Sequence, residues 1–221
     1  MTSEQRVSKL FELLEISGKK EHISGNMTQL DHALRVANLA KIDSADEDTI
    51  LAALMLDTGE LTVNIPPYGN FEIGDTIQIY WNGYDRNTSD TIGSDEFDNT
   101  FVRKLGLSNK TCDLVESNTF AKRCLGSMTP EGLVSIIPRN IGIITPEDLV
   151  AGVEATILMC GSPLSPTEMS EFEKDPLFKQ KMQLAVWDIA ATKTTGDKPP
   201  ALDTYRDMAI RNMLMSMRTL Y

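Results

Sequence analysis

Apolar side chains recur at helical spacing along most of this chain, which predicts a mainly α-helical protein. The first helix is expected at 4–17, where the apolar residues fall on one side and Ser3 is the expected N-cap. A second helix is expected to start at Thr28, with Asp31 three residues later as in a capping box. The third, at about 47–57, is apolar on all sides, which is typical of a helix buried in a protein core.

The second half of the chain also shows helical spacing. It returns at about 95–125, and Thr145 is the expected cap of a helix over 146–159. Further helices are expected within SPLSPTEMSEFEKDP and QKMQLAVWDIAAT, and a last one at about 201–218. The short apolar stretch GLVSII at 132–137 fits either a strand or a buried loop. The pattern therefore predicts helices over most of the C-terminal half.

Helical spacing disappears between residues 61 and 93. In the segment TIQIYW, polar and apolar residues alternate, and many of them are β-branched or aromatic. The segment lies between Gly-Asp and Asn-Gly turn sequences. This pattern predicts a β-hairpin or a small pair of strands. We therefore expect residues 1–221 to form a single helical domain with a β-rich insertion at 61–97.

Composition and charge narrow the expected environment and partners. The formal net charge is −11, so the chain repels phosphate backbones and nucleic acid is not an expected partner. The three cysteines form no C-x-x-C pair, which favours free thiols in a reducing compartment. The N-terminal segment is an amphipathic helix rather than a signal peptide, and no apolar run is long enough to span a membrane. A cytoplasmic protein is expected.

Several segments together resemble one protein family. They are MTQLDHALRVANLA at 27–40, LAALMLDTGEL at 51–61, and then AKRCL, GSPLSPTEMSEFEKDP, AVWDIAATK and PALDTY. Their order and rough spacing resemble the HD-domain diiron oxygenases that cleave organophosphonates. The resemblance covers about residues 5–60 and 98–218 and implies an HD-type helical bundle. In that family an iron pair oxidises the carbon next to phosphorus, and inorganic phosphate is released.

The resemblance implies six metal ligands, of which three are present: His32, Asp57 and Asp188. Leu56 stands where the family has the histidine of its His-Asp pair, and leucine cannot bind a metal. Asn118 stands at another histidine position, and no histidine occurs at 93–98, where the remaining one is expected. The family's metal site is therefore expected to be degenerate in this chain.

The resemblance also implies a substrate side of the site. Lys122 matches the family's substrate-side lysine, and Arg123 follows it, so the pair is either an anion-binding remnant or a solvated basic pair. His22 and Gly25 stand where the family has a tyrosine and a glutamate, and His22 is also read as a surface loop residue. The candidate ligand-binding residues are Lys122, Arg123, Asn118 and His22.

The chain has only two histidines, so a diiron site with mostly imidazole ligands cannot be built from it. A single divalent ion (Fe, Mn or Mg) is the alternative to no cofactor, and its candidate ligands are His32, Asp57, Asp188 and Glu60. This oxygen-rich set suits Mg²⁺ or Mn²⁺. Without a metal, His32 would be a packed, hydrogen-bonded histidine and Asp57 a cap or salt-bridge residue. Asp188 would then pair with Lys193 or Arg123, because an unpaired buried carboxylate is costly.

Three functions compete on these observations. The first is a divergent HD-domain protein that has lost diiron oxygenase chemistry and serves as a non-catalytic binding or regulatory module for a small anionic ligand or a protein partner. The second is a metal-dependent enzyme with a mononuclear site, acting on a small phosphonate or phosphate ester. The third is an interaction protein whose hairpin at 61–93 pairs with a partner by strand addition.

Overall fold

A computed structural model describes residues 2–22, 24–25, 27–57, 71–72, 78–79, 102–138, 142, 144–193 and 198–218. This part of the chain is mainly α-helical, as predicted. Its helices are α1 (Ser3–Ser17), α2 (Gln29–Ile42), α3 (Glu47–Met55), α4 (Asn109–Glu116), α5 (Asn118–Leu125), α6 (Pro130–Ile136), α7 (Pro146–Cys160), α8 (Pro166–Phe172), α9 (Phe178–Ala191) and α10 (Arg206–Arg218), with a 3₁₀ turn at Leu202–Tyr205.

Polar side chains cap the helix starts and set their boundaries. Thr28 accepts a hydrogen bond from the backbone N–H of Asp31 at the start of α2, as predicted. Thr145 forms a full capping box at the start of α7, which confirms that cap. The predicted cap of α1 is wrong by one residue, because Thr2 rather than Ser3 accepts from the Gln5 N–H.

The segment GLVSII is neither strand nor buried loop, since residues 132–136 belong to helix α6 and Ile137 is its C-cap. Pro130 occupies the first turn, where its fixed φ favours a helix, and Thr129 accepts the N–H of Gly132. The prediction failed because the segment was read from its apolar residues alone. Proline was taken as a boundary, whereas here it begins a helix.

The predicted β insertion lies largely outside the described residues. Between 58 and 101 the structure describes only β1 (Phe71–Glu72) and β2 (Gln78–Ile79), which pair antiparallel with Phe71 opposite Ile79. The hairpin as a whole, and its proposed role in strand addition, therefore remain predictions.

Helix α9 lies at the centre of the helical packing. It contacts α2 and α3 on one side and α5 and α7 on another, and Trp187 on it is 1% exposed. Residues all around this helix are therefore buried, and so is the one carboxylate in its second half, Asp188. None of the described helices is both long and apolar enough to cross a membrane.

The close contact between α7 and α9 leads to a prediction about the free energy of unfolding. A Cβ at Gly152 would lie 2.2 Å from Cγ2 of the buried Ile189, so Gly152→Ala should destabilise the fold by about 1–3 kcal/mol through overpacking. Gly132→Ala is the control, because a Cβ there meets only ordinary contacts and should stabilise α6 by about 0.5–1 kcal/mol. Urea unfolding of both variants measures the two signs. Equal effects from both substitutions would contradict this packing.

Candidate functional site

A tight turn between α1 and α2 presents His22 to the interior. The His22 N–H donates to the Met27 carbonyl at 2.8 Å, and the Gly25 N–H donates to the His22 carbonyl at 2.8 Å. Gly25 has φ +78°, a conformation that favours glycine. The turn folds the His22 ring onto His32, with centroids 4.0 Å apart and 17° between the planes. The prediction that His22 lies on the surface is wrong, since it is buried.

Four titratable side chains from four parts of the chain converge here, and one of them is His32 of the stacked pair. His32 on α2 has its Nε2 atom 2.7 Å from Oδ1 of Asp188 and 3.3 Å from Oδ2 of Asp57, which lies two residues after the end of α3. The other Asp188 oxygen, Oδ2, lies 2.5 Å from Nζ of Lys122 on α5. We call these four residues the charged cluster: His32, Asp57, Lys122 and Asp188.

The cluster shifts the pKa of its own members in opposite directions. Burial favours a neutral Asp188, but the Lys122 charge and the hydrogen bond from His32 outweigh burial and hold the Asp188 pKa far below its usual range. Burial likewise opposes charge on His32, yet its bond to Asp188 and the charge of Asp57 raise its pKa above 6.5. The pKa of Lys122 is also raised, since the two carboxylates outweigh burial. The carboxylates therefore favour the charged forms of both His32 and Lys122.

His22 is held neutral by the same surroundings. Burial, followed by the positive charge of His32, lowers the pKa of His22 to about 4. Its Nδ1 accepts the backbone N–H of Ser24 at 3.1 Å and lies 2.8 Å from the Ser24 hydroxyl. In the stacked pair the surroundings therefore favour the neutral form of His22 and the protonated form of His32.

A cavity of about 460 Å³ opens above the charged cluster. Its polar lining includes all four cluster residues together with His22 and Ser24. Helices α7 and α9 supply an apolar wall and rim, where Leu158 and Met159 are strongly exposed. The cavity thus has a polar floor and an apolar entrance, which is the usual make-up of a small-molecule site.

The other predicted site residues do not join this cavity. Arg123 turns away, with its Nε donating to the Ser162 carbonyl at 2.7 Å and its guanidinium over the Phe120 ring. Asn118 is not among the lining residues, and its side-chain oxygen is buried without a hydrogen-bond partner in the part of the chain that the structure describes. Glu60 lies outside the described residues, so its predicted role is untested.

The predicted partners of Asp188 are also wrong. Its ammonium partner is Lys122, whereas Lys193 pairs with Asp148 on the surface at 2.7 Å. Lys122 is therefore a largely buried member of the charged cluster and not a solvated basic side chain. Sequence spacing favoured Lys193, which is five positions from Asp188, whereas Lys122 comes close to Asp188 only in the folded chain.

Three residues could hold a metal ion. One ligand atom each from His22, His32 and Asp57 lie within 4.8 Å of one another. The prediction named His32 and Asp57 as metal ligands but placed His22 with the ligand-binding residues. The sequence carried one signal for His22, since the chain's two histidines lie only ten positions apart.

Comparison with known proteins points to a distant relationship. No family model matches the chain. It is 26% identical to hydroxymethylphosphonate dioxygenase of Gimesia maris, over 92% of this chain and 86% of that protein. It is 24% identical to [1-hydroxy-2-(trimethylamino)ethyl]phosphonate dioxygenase (glycine-betaine-forming) of Leisingera caerulea, over 82% and 78%. Uncharacterized protein L432 of Acanthamoeba polyphaga mimivirus is 28% identical, over 93% and 81%. The chain is thus distantly related to proteins named as phosphonate dioxygenases.

The two histidines should titrate far apart. We expect the His22 imidazole to stay neutral until the pH falls to about 4, because burial and the His32 charge oppose its protonation. His32 should keep its proton above pH 6.5, because Asp188 and Asp57 stabilise the charged ring. A pH titration of the imidazole NMR signals measures both, and His22→Phe assigns them by removing one. Two curves with a common midpoint near 6.5 would contradict the charged cluster.

Proposed function

We propose that this chain is a divergent HD-domain protein that binds a small phosphonate or phosphate ester in its cavity and has lost diiron oxygenase chemistry. The observation that carries the proposal is the charged cluster on the cavity floor. There the Lys122 ammonium and the His32 ring hold the two oxygens of Asp188. The distant relatives support the choice of an organophosphorus anion, since two of them are named for phosphonates.

The residues present do not fit an iron pair. Leu56, at the position of a family histidine, is buried among core side chains and has no atom that binds a metal. Asn118 offers only an amide at a second such position, outside the cavity lining. Asp188 already carries an ammonium ion on one oxygen and an imidazole on the other. The ligand set supports a binding function better than an oxidation that needs two irons.

The charge balance of the cluster suits an anion. With His32 protonated, two positive side chains meet two carboxylates, so an arriving anion encounters no net negative charge at the floor. Lys122 has three N–H donors, and its contact with Asp188 uses one of them. The remaining donors can bind phosphonate oxygens. The cavity volume of about 460 Å³ lies within the range of small-molecule sites.

A mononuclear metal-dependent enzyme is the second candidate function. It is favoured by the convergence of His32, Asp57 and Asp188, which were the predicted ligands of a single ion. Turnover of a phosphonate or phosphate ester by the metal-loaded protein would distinguish it from a binding module, which holds the same ligand unchanged.

Replacing Lys122 tests the proposed binding function. We expect Lys122→Met to weaken binding of hydroxymethylphosphonate by about tenfold or more, because a hydrogen bond to a charged group contributes about 1.5–3 kcal/mol. Isothermal titration calorimetry measures the affinity. Oxygen uptake by the Fe²⁺-supplied protein should not respond to hydroxymethylphosphonate.

Lys181→Met is the matched control for this experiment. Lys181 is also buried and pairs with an aspartate, the partly exposed Asp175 at 2.5 Å, but it does not line the cavity. Its loss should lower stability without changing affinity, and thermal unfolding of both variants shows that each is folded. Equal affinities for the two variants would overturn the role of Lys122. Phosphonate-dependent oxygen uptake would overturn the loss of oxygenase chemistry.

A further inference from the structure

We propose that the cavity binds phosphonates or phosphate monoesters that carry an apolar organic group. Four apolar residues select that group, and we call them the apolar wall: Ala155, Leu158 and Met159 of α7, and Ile189 of α9. The inference rests on the proposed function, because it adds an organic group to the same anion. It departs from the relatives, since two of them are named for phosphonates that bear a hydroxyl.

The apolar wall is continuous with the polar floor. Its residues and Lys122 line the same cavity. Ala155 and Met159 are four positions apart on α7, which places them on one side of that helix. On α9, Ile189 directly follows Asp188, the partner of Lys122 at 2.5 Å. A ligand whose anionic head is bound by Lys122 can therefore extend its organic group along the wall.

Two large apolar side chains of the wall are exposed at the mouth of the cavity. Leu158 is 88% exposed and Met159 is 60% exposed. Adjacent exposed apolar side chains beside a polar site are typical of a binding surface, because apolar surface left in water is unfavourable. An alkyl or aryl group on the ligand would cover them and release the water from both surfaces.

The two threonines of the cavity lining have no hydroxyl proton to offer a ligand. The Thr156 hydroxyl donates to the Gly152 carbonyl at 2.8 Å, and the Thr192 hydroxyl donates to the Ile189 carbonyl at 2.8 Å. A hydroxyl on the organic group would therefore give up hydrogen bonds from water without receiving one from either threonine, which is costly. An alkyl group has no such hydrogen bonds to lose. The wall thus favours apolar over polar substituents.

A series of alkylphosphonates tests the inference on the full chain. Isothermal titration calorimetry measures the Kd of methyl-, ethyl-, butyl- and hexylphosphonate. We expect the affinity to rise about two- to threefold with each methylene, because each methylene removes a similar apolar area from water. Butylphosphonate and 3-hydroxypropylphosphonate have the same number of non-hydrogen atoms, and we expect the hydroxylated compound to bind about tenfold more weakly.

Replacing the two exposed residues of the wall tests their role. The double variant Leu158→Gln/Met159→Gln should bind methylphosphonate as the unmodified chain does, but its gain from methyl- to hexylphosphonate should be smaller by about fivefold or more. Leu214→Gln/Met215→Gln is the matched control, because it changes the same residue types, which are 41% and 65% exposed on α10 and do not line the cavity. This control should keep the full gain. Both variants should fold, because all four side chains are exposed.

The outcomes separate this inference from the proposed function. A gain with chain length that is lost in the wall variant and kept in the control supports the apolar wall. If methylphosphonate binds through Lys122 but longer chains bind no more tightly, or if both double variants lose the gain equally, the inference is wrong and the proposed function stands. If Lys122→Met binds hexylphosphonate as the unmodified chain does, or if no phosphonate binds at all, both are wrong.

Discussion

A buried carboxylate with two cationic partners organises this protein. Asp188 lies on the central helix α9, where water cannot solvate its charge, and an unpaired carboxylate there would be costly. Its two oxygens are bonded by His32 from α2 and Lys122 from α5. Removing one partner of such a buried group costs about 3–5 kcal/mol, because the remaining charge is left uncompensated. The arrangement therefore ties three helices together at one point.

The same interaction shapes the site above it. By engaging both oxygens of Asp188, the cluster leaves Asp57 and the stacked His22 as the groups at its edge, beside the cavity. Burial and the charge of His32 keep His22 neutral, so the floor of the cavity offers an uncharged ring next to an ammonium group. The floor therefore combines a fixed cation with a neutral imidazole, rather than consisting of metal ligands alone.

Much of the fold could be predicted, because helices depend on local signals. Neighbouring residues determine the caps at Thr28 and Thr145 and the apolar body of α3. These features were therefore predicted to within a few positions. The prediction for the segment GLVSII was wrong because Pro130 was interpreted as a boundary of the element, whereas it lies in the first turn of a helix. The predicted insertion at 61–97 lies mostly outside the described residues.

The site was harder to predict because it depends on contacts between distant segments. His32, Asp57 and Asp188 were named from a resemblance, and the structure brings them together. The partner of Asp188 was missed, since spacing favours Lys193 over Lys122. His22 was misplaced on the surface because its neighbours are polar. The backbone hydrogen bonds of the turn and the positive φ of Gly25 hold its ring inward, and neither is visible in the spacing of the sequence.

The hydrogen bond between His32 and Asp188 joins residues that are 156 positions apart. Closing so long a loop is entropically unfavourable before other contacts reward it, and contacts of this kind form late in folding. During synthesis, His32 and Lys122 leave the ribosome well before Asp188 does. The buried charges of α2 and α5 are therefore neutralised only after α9 has been synthesised, so the cavity floor is completed only once Asp188 is available.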